Sequence, residues 1–495
     1  MQVVSPLLGS EIEQRRGKRL SIAASGVAAA TFALGLYLIW RYPVIYWDDA
    51  YTRLAYRDQV LVGRWLPAMQ MLVFLTGKLP AGLVMLRVLL AGIAAGGVLA
   101  VYQYTARVFN PAAGLLAAAL LATHTLFIAL ATVPYREVLI ATLCFLVLPL
   151  LDRASEPRRR AAAYGLVVLL NLTRYDAWLF VPIFVLLEAC RGFETGVWKA
   201  AIHTGVPAAL IMGAVPVAWT LFGPIAVLEH ETGVLERILS GEVRALLTGM
   251  LDHGWWRTRW DLLLLGAAGA AAALADPNKR RHPLRLLSLA GIQFSFLTIA
   301  GIWRAENLRM TFLPTVLLIP YAAGAYLLAA GRLLAGIRQI FPALERSRLP
   351  EGSLLAAAAA GFAFLVYAGL EFVAGASGTP VYRAGYAAGS AFSDRDITGV
   401  LILAEAPVGP YVFASYSDVP LEAVFELGPT TLDHGLRAGT PEALAAAGIS
   451  HVVAVYSDEA GLSPEEMDLL DRLNSGEIAA DRTITKGGEV WRLRP

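Results

Sequence analysis

Apolar residues in this chain come in long blocks rather than in strict alternation. Runs of about 17 to 25 predominantly apolar residues suit helices that cross a hydrocarbon core. Such runs, some of them shorter, cover 20–41, 81–104, 111–131, 136–152, 161–173, 177–190, 200–222, 259–275, 284–303, 310–330 and 353–376. The pattern predicts about eleven spanning helices. The runs at 161 and 177 are short, and "NLTRYDAW" between them predicts two helices meeting at a polar turn near one membrane face. After about Ser377 the long runs stop. There "YVFASY" and "HVVAVYS" have strand character, whereas "PEALAAAG" and "SPEEMDLLDRLN" have helical spacing with Pro and Ser at their starts. The closing "EVWRLRP" reads as a sheet edge. The expected organisation is a short N-terminal segment (1–19), a polytopic helical domain (20–376) and a small α/β domain (377–495).

Composition agrees with this division. Hydrophobic residues make up 57% and charged residues 16% of the chain, and mean hydropathy is +0.57; soluble domains carry about a quarter charged residues. A formal net charge of +2 provides no field that would recruit nucleic acid. Cys144 and Cys190 both lie in apolar runs, where they read as packing residues and not as a disulfide framework.

Charge also sets the sidedness. The basic flank "RRGKR" before the first run points to a retained signal anchor with a cytoplasmic N-terminus. Counting from there, the inner loops are "RVFN", "DRASEPRRR", "CRGFETGVWK", "DPNKRRHPLR" and "GRLLAGIRQIFPALERSR", all basic, as cytoplasmic loops should be. The outer loops are 42–80, a turn near 132–135, "TRYD", 223–258 and "WRAENLR". An odd number of spans puts the C-terminal domain outside, and the expected location is the plasma membrane.

Polar clusters fall on these outer segments. In "IYWDDAYTRLAYRDQ" the charged residues are Asp48, Asp49, Arg53, Arg57 and Asp58, and the near-helical spacing of Leu54, Val60 and Leu61 predicts amphipathic helices along the outer surface. Asp49, Arg57 and Asp58 are read as solvated charges, whereas Asp48 sits beside a second carboxylate at the end of a span, a setting that perturbs basicity. "ATVPYREVLIA" contributes Arg136 and Glu137, the latter at a helix start where its charge opposes the dipole favourably. "TRYDAW" contributes Arg174 and Asp176, and "IWRAENLRMTFLP" contributes Arg304, Glu306 and Arg309. Ionisable groups at membrane depth face a cavity or a partner, and guanidinium groups match phosphate through planar paired hydrogen bonds. The loop 223–258 holds His230 and His253 without metal-ligand spacing, and Trp255 and Trp256 lie there with Trp260 just beyond it, read as interfacial or sugar-stacking rings. No nucleotide-binding glycine fingerprint or HExxH motif is present.

In their order, "WDDAYTRLAYRDQVLVGRWLP", "YREVL", "LTRYDAW" and "ENLRMTFLPTVLLIPYAA" resemble the GT-C glycosyltransferases, polytopic enzymes that take a sugar from a polyprenyl-phosphate carrier, such as protein O-mannosyltransferases and lipid A aminoarabinose transferases. The resemblance covers roughly 20–376 and implies that Asp48 is the general base. It implies supporting roles for Asp49 and Glu137, and a late basic residue at Arg304 or Arg309. Arg174, Arg304 and Arg309 are then the donor phosphate-binding candidates, and Tyr135, Arg136, Tyr175, Asp176 and Glu306 the substrate contacts. Asp48 and Asp49 are also the candidates for holding a divalent cation, Mg²⁺ or Mn²⁺. The implied partners are a polyprenyl-phosphate-linked sugar donor, a lipid, glycan or protein acceptor, and membrane lipids. The leaving group is already a phosphate, so the reaction needs a base and charge stabilisation but no general acid. Two other readings are a transporter or lipid flippase, which also buries polar groups among many spans, and a non-catalytic scaffold that binds through its C-terminal domain.

Overall fold

The computed structural model describes residues 6–62, 66–79, 81–152, 156–194, 198–222, 259–276, 281–299, 312–340, 349–392, 397–404, 409–417, 419–427, 435–436, 438–455, 462–485 and 488–494; for some of these, among them Asp48, Asp176 and Cys190, it describes the backbone alone. The described chain is helical with one C-terminal sheet, and it divides into two compact units. One comprises Met1–Ile39, Leu61–Leu72 and Val84–Glu371, the other Trp40–Val60, Val73–Leu83 and Phe372–Pro495.

Within the described residues, each long apolar run is mainly helical. The helices are α1 (Pro6–Arg41), α2 (Asp48–Ala55), α3 (Pro67–Gly77), α4 (Gly82–Val108), α5 (Pro111–Ala122), α6 (Thr125–Leu130), α7 (Glu137–Asp152), α8 (Pro157–Asn171), α9 (Phe180–Glu194), α10 (Trp198–Phe222), α11 (Trp260–Leu274), α12 (Arg281–Ile299), α13 (Phe312–Ile340) and α14 (Leu349–Ser377). Among the described residues, segments of α1, α4, α10, α13 and α14 are long and apolar enough to cross a membrane, and six further apolar helices are shorter. The run 111–131 is not one helix. His124 caps α6 by accepting the Leu126 N–H on Nδ1 at 3.2 Å, which breaks the run in two. For a neutral ring this bond leaves the proton on Nε2, which faces Thr315 Oγ1 at 3.5 Å.

Local chemistry explains the boundaries. Asn110 accepts from Ala113 N–H ahead of Pro111 at the first position of α5. The polar turn after α8 is a 3₁₀ segment, Tyr175–Leu179, entered through the extended Arg174. Small residues let α11 and α13 approach closely, as membrane helices require. A Cβ on Gly266 would lie 2.6 Å from the Leu318 side chain, and one on Gly269 would collide with the Tyr321 carbonyl.

In the second unit, α15 (Pro380–Ala391), β1 (Val400–Ala404), α16 (Gly409–Tyr416), β2 (Val424–Leu427), β3 (Gly435–Leu436), α17 (Pro441–Ala446), β4 (His451–Val455), α18 (Pro464–Asn474), β5 (Ala480–Thr485) and β6 (Gly488–Leu493) follow one another. The sheet order is β3-β2-β1-β4-β6-β5. β1 pairs in parallel with β2 and β4, and β6 pairs antiparallel with β4 and β5. Both β1 and β4 are buried along their whole length, as central parallel strands are. Leu401, Leu403, Val452, Leu469, Leu473 and Trp491 form the core beneath them. Ser463 and Glu466 form a reciprocal capping box at the start of α18.

Two expectations for this region are corrected. "YVFASY" is helical within α16, because helical spacing puts Tyr411 and Ser415 one turn apart on a buried face, whereas the missed "VLILA" supplies the central strand β1. "EVWRLRP" contributes β6, which is not an edge but lies between β4 and β5.

Candidate functional site

In the first unit, Glu137 opens α7 and Arg174 precedes the 3₁₀ turn. Arg174 Nη1 donates to Glu137 Oε1 at 2.8 Å, with side-chain exposures of 7% and 1%. Two charges withdrawn from water hold each other, as their burial requires. The second carboxylate oxygen, Oε2, is buried and has no hydrogen-bond partner among the described residues. Tyr135 is buried beside this pair in sequence, and Arg136 is half-buried. Tyr175, next to Arg174, accepts from Trp219 Nε1 at 3.1 Å and meets Trp178 edge-on at 4.9 Å. Trp178 Nε1 in turn donates to the Asn171 carbonyl at 2.9 Å, so this aromatic group is fixed by directed bonds.

A second buried guanidinium lies at the head of α11. Arg259 has φ +53°, a left-handed conformation unusual for a side-chain-bearing residue. Its Nε and Nη2 donate to the two oxygens of Asp261, each at 2.8 Å, and Tyr326 on α13 donates to the same carboxylate at 2.8 Å. Arg259 is 1% exposed, and its Nη1 has no partner among the described residues. A guanidinium fixed along one edge by a carboxylate, with a donor left over at another, is arranged to receive an anion.

In the second unit, Asp48 and Asp49 form the first turn of α2, directly after Trp47 at φ +74°. Asp49 is half-buried, and Arg53 on the same helix is buried. Asp58 is exposed and accepts from Lys78 at 2.9 Å. That bond holds its carboxyl below the usual carboxylate range. No three His, Cys, Asp or Glu side chains converge among the described residues, and of the candidate cation pair Asp48 and Asp49 the side chain of Asp48 lies outside them.

No protein-family model and no curated protein matches the sequence. The likeness is in three dimensions. ArnT from Cupriavidus metallidurans in the apo state matches with a TM-score of 0.53 at 14% identity, over 95% of this chain and 98% of that one. The same protein bound to undecaprenyl phosphate matches with 0.53 at 13%, over 95% and 97%. This is the fold of the GT-C glycosyltransferases. The apo Archaeoglobus fulgidus oligosaccharyltransferase shares it, with a TM-score of 0.50 at 13% identity over 87% of this chain and 69% of that one.

Within the GT-C fold, the structure brings together two residues from separate sequence clusters, Glu137 and Arg174. Asp48 and Asp49 belong to the other unit. The side chains of Asp48 and Asp176 lie outside the described residues, as do Arg304, Glu306, Arg309, His230, His253, Trp255 and Trp256. Sequence reasoning missed Arg259. Its signal is an Arg two residues before an Asp at the head of an apolar run, within "WWRTRWD".

Proposed function

We propose that the chain is an inverting glycosyltransferase that moves a sugar from a polyprenyl-phosphate carrier to a hydroxyl on a lipid, glycan or protein acceptor, at the outer face of the plasma membrane. The observation that carries this reading is the buried Glu137–Arg174 pair, whose second carboxylate oxygen is buried with no partner among the described residues, in a chain with the GT-C fold. A buried polar atom without a partner costs about 1–3 kcal/mol. Such a cost is sustained where a ligand completes the bond. The ArnT structure that shares the fold was determined with undecaprenyl phosphate, which supports the carrier class.

In this mechanism the acceptor oxygen attacks the anomeric carbon while Asp48 takes its proton. The bond from that carbon to the phosphate oxygen breaks, the polyprenyl phosphate leaves with the electron pair, and a single displacement inverts the centre. Arg259, braced by Asp261, and Arg174, braced by Glu137, are the described guanidinium groups that meet the phosphate charge. Arg304 and Arg309 are the further candidates. Asp49 and Glu137 orient the acceptor, with Tyr135, Arg136, Tyr175, Asp176 and Glu306 lining the substrates. No step is routed through a cation.

About eleven spans, a cytoplasmic N-terminus and an external C-terminal domain complete the reading. With eleven spans, Trp40–Val60 and Phe372–Pro495 fall on one side of the membrane, in keeping with their belonging to one compact unit. The transporter reading gains no support from the structural likeness. The test is mass spectrometry of lipids carried through purification, together with transfer from a panel of undecaprenyl-phosphate-linked hexoses and aminosugars to envelope extracts. A bound polyprenyl phosphate and sugar transfer are expected. Uptake of lipid-linked sugar into proteoliposomes with no transfer would overturn the proposal.

A further inference from the structure

The segment Pro43–Tyr51, which carries Asp48, is held by helix α16 of the C-terminal domain. Tyr416 uses one hydroxyl twice: it accepts the Ile45 N–H at 2.8 Å and donates to the Pro43 carbonyl at 3.4 Å. Ser415 shares its proton between the Tyr411 carbonyl one turn back, at 2.6 Å, and the Tyr51 carbonyl, at 3.2 Å. The Tyr51 hydroxyl closes the segment on itself by donating to the Ile45 carbonyl. Downstream, Arg57 Nη2 donates to the Ser417 carbonyl at 3.3 Å. Rings fill the space between these bonds, with Tyr51 lying 5.3 Å from Tyr382 and 6.0 Å from Tyr416.

Between the anchored Ile45 and the anchored Tyr51 lies Trp47 at φ +74°. A bulky side chain keeps a left-handed backbone only where its surroundings over-determine it. The surroundings that do so are the hydrogen bonds on either side, and several of those come from a domain more than 350 residues along the chain. The next residue is Asp48.

We infer that Tyr416 is a positioning residue for glycosyl transfer: through it the C-terminal domain sets the backbone of Asp48, so the domain is a working part of the catalytic centre and not an appendage. This rests on the reading of Asp48 as the base. Tyr416 acts in this proposal only through its bonds to the Pro43 and Ile45 backbone. Its effect is geometric, and misplacing a catalytic group by about 1 Å costs on the order of 10²-fold in rate.

The test uses the full chain in nanodiscs with three variants. Tyr416→Phe keeps the ring and removes both backbone bonds. Ser415→Ala removes the Tyr51 contact. Tyr386→Phe, whose ring meets Tyr416 edge-on at 4.8 Å, is the control. Hydrogen–deuterium exchange is followed on peptides spanning 44–52 and on β1 and β4, beside steady-state transfer from undecaprenyl-phosphate-linked sugars. For Tyr416→Phe the expected result is faster exchange over 44–52 with β1 and β4 still protected, and a kcat lowered roughly 10- to 100-fold while the donor KM stays within about twofold. Ser415→Ala should change both readouts in the same direction by less, and Tyr386→Phe should match the wild type. Wild-type exchange and kcat in Tyr416→Phe would overturn the inference, as would loss of protection throughout the domain. Asp48→Asn in the same assay separates the two claims. If it is inactive while Tyr416→Phe is normal, only the positioning role fails; if it turns over like the wild type, the base assignment fails.

Discussion

Arg174 Nη1 lies 2.8 Å from Glu137 Oε1, 37 positions away in the chain, and neither side chain is more than 7% exposed. Removing one partner of such a pair leaves an uncompensated buried charge, a loss of about 3–5 kcal/mol. Glu137→Leu and Arg174→Met should each lower the thermal unfolding midpoint in detergent markedly, and the double variant that combines these two substitutions should recover part of the loss. Additive losses in the double variant would show that the two residues do not act as a pair.

Arg259 carries the second claim about charge. Its guanidinium is anchored through two nitrogens to Asp261, and the third, also buried, has no partner among the described residues. Lysine cannot reproduce that fork. Arg259→Lys should weaken binding of undecaprenyl phosphate by about tenfold or more, the equivalent of one charge-assisted hydrogen bond. Titration followed by native mass spectrometry measures it, and unchanged affinity would remove Arg259 from the phosphate site.

The helices were legible because a membrane-length apolar block has few other uses, and α4, α10, α13 and α14 fall where those blocks stand. The break at His124 was not legible, since it depends on a side chain turning back to cap the next helix. In the C-terminal domain, short runs rich in aromatic and β-branched residues fit a buried helix as well as a strand. Tertiary packing decided for the helix in "YVFASY", where Tyr411 and Ser415 on one face meet Tyr56 and Tyr51 of the first loop. Glu137 and Arg174 were each visible as a charge at membrane depth, but their pairing is a long-range contact that no local spacing encodes. Arg259 was hidden because a buried guanidinium and a solvated one look alike in sequence.

On the proposed mechanism, in which guanidinium groups meet the charge that develops on the phosphate, chelation should leave the rate within about twofold of the untreated enzyme. The measurement is transfer before and after dialysis against EDTA, with Mg²⁺ and Mn²⁺ restored separately. Loss of activity on chelation with recovery on either ion would replace this account of phosphate stabilisation.

The Asp58–Lys78 pair is a surface bridge, with side-chain exposures of 70% and 53%. The lowered carboxyl pKa of Asp58 means that its contribution is present above the unfolded value of about 3.9 and is lost as pH falls through the folded value. Screening by water limits an exposed pair to about 0–1 kcal/mol. Asp58→Asn should therefore shift the unfolding midpoint little between pH 5 and 8, checked by melts across that range.

The central claim is that one carboxylate in the first loop removes the acceptor proton. Asp48→Asn keeps the size of the side chain and abolishes its basicity, so the variant, assayed for transfer from undecaprenyl-phosphate-linked sugars in the same nanodiscs as the wild type, tests it most directly. The account predicts a rate reduced by at least about 10²-fold, with unfolding midpoint and undecaprenyl phosphate affinity preserved. Wild-type turnover by Asp48→Asn would contradict it.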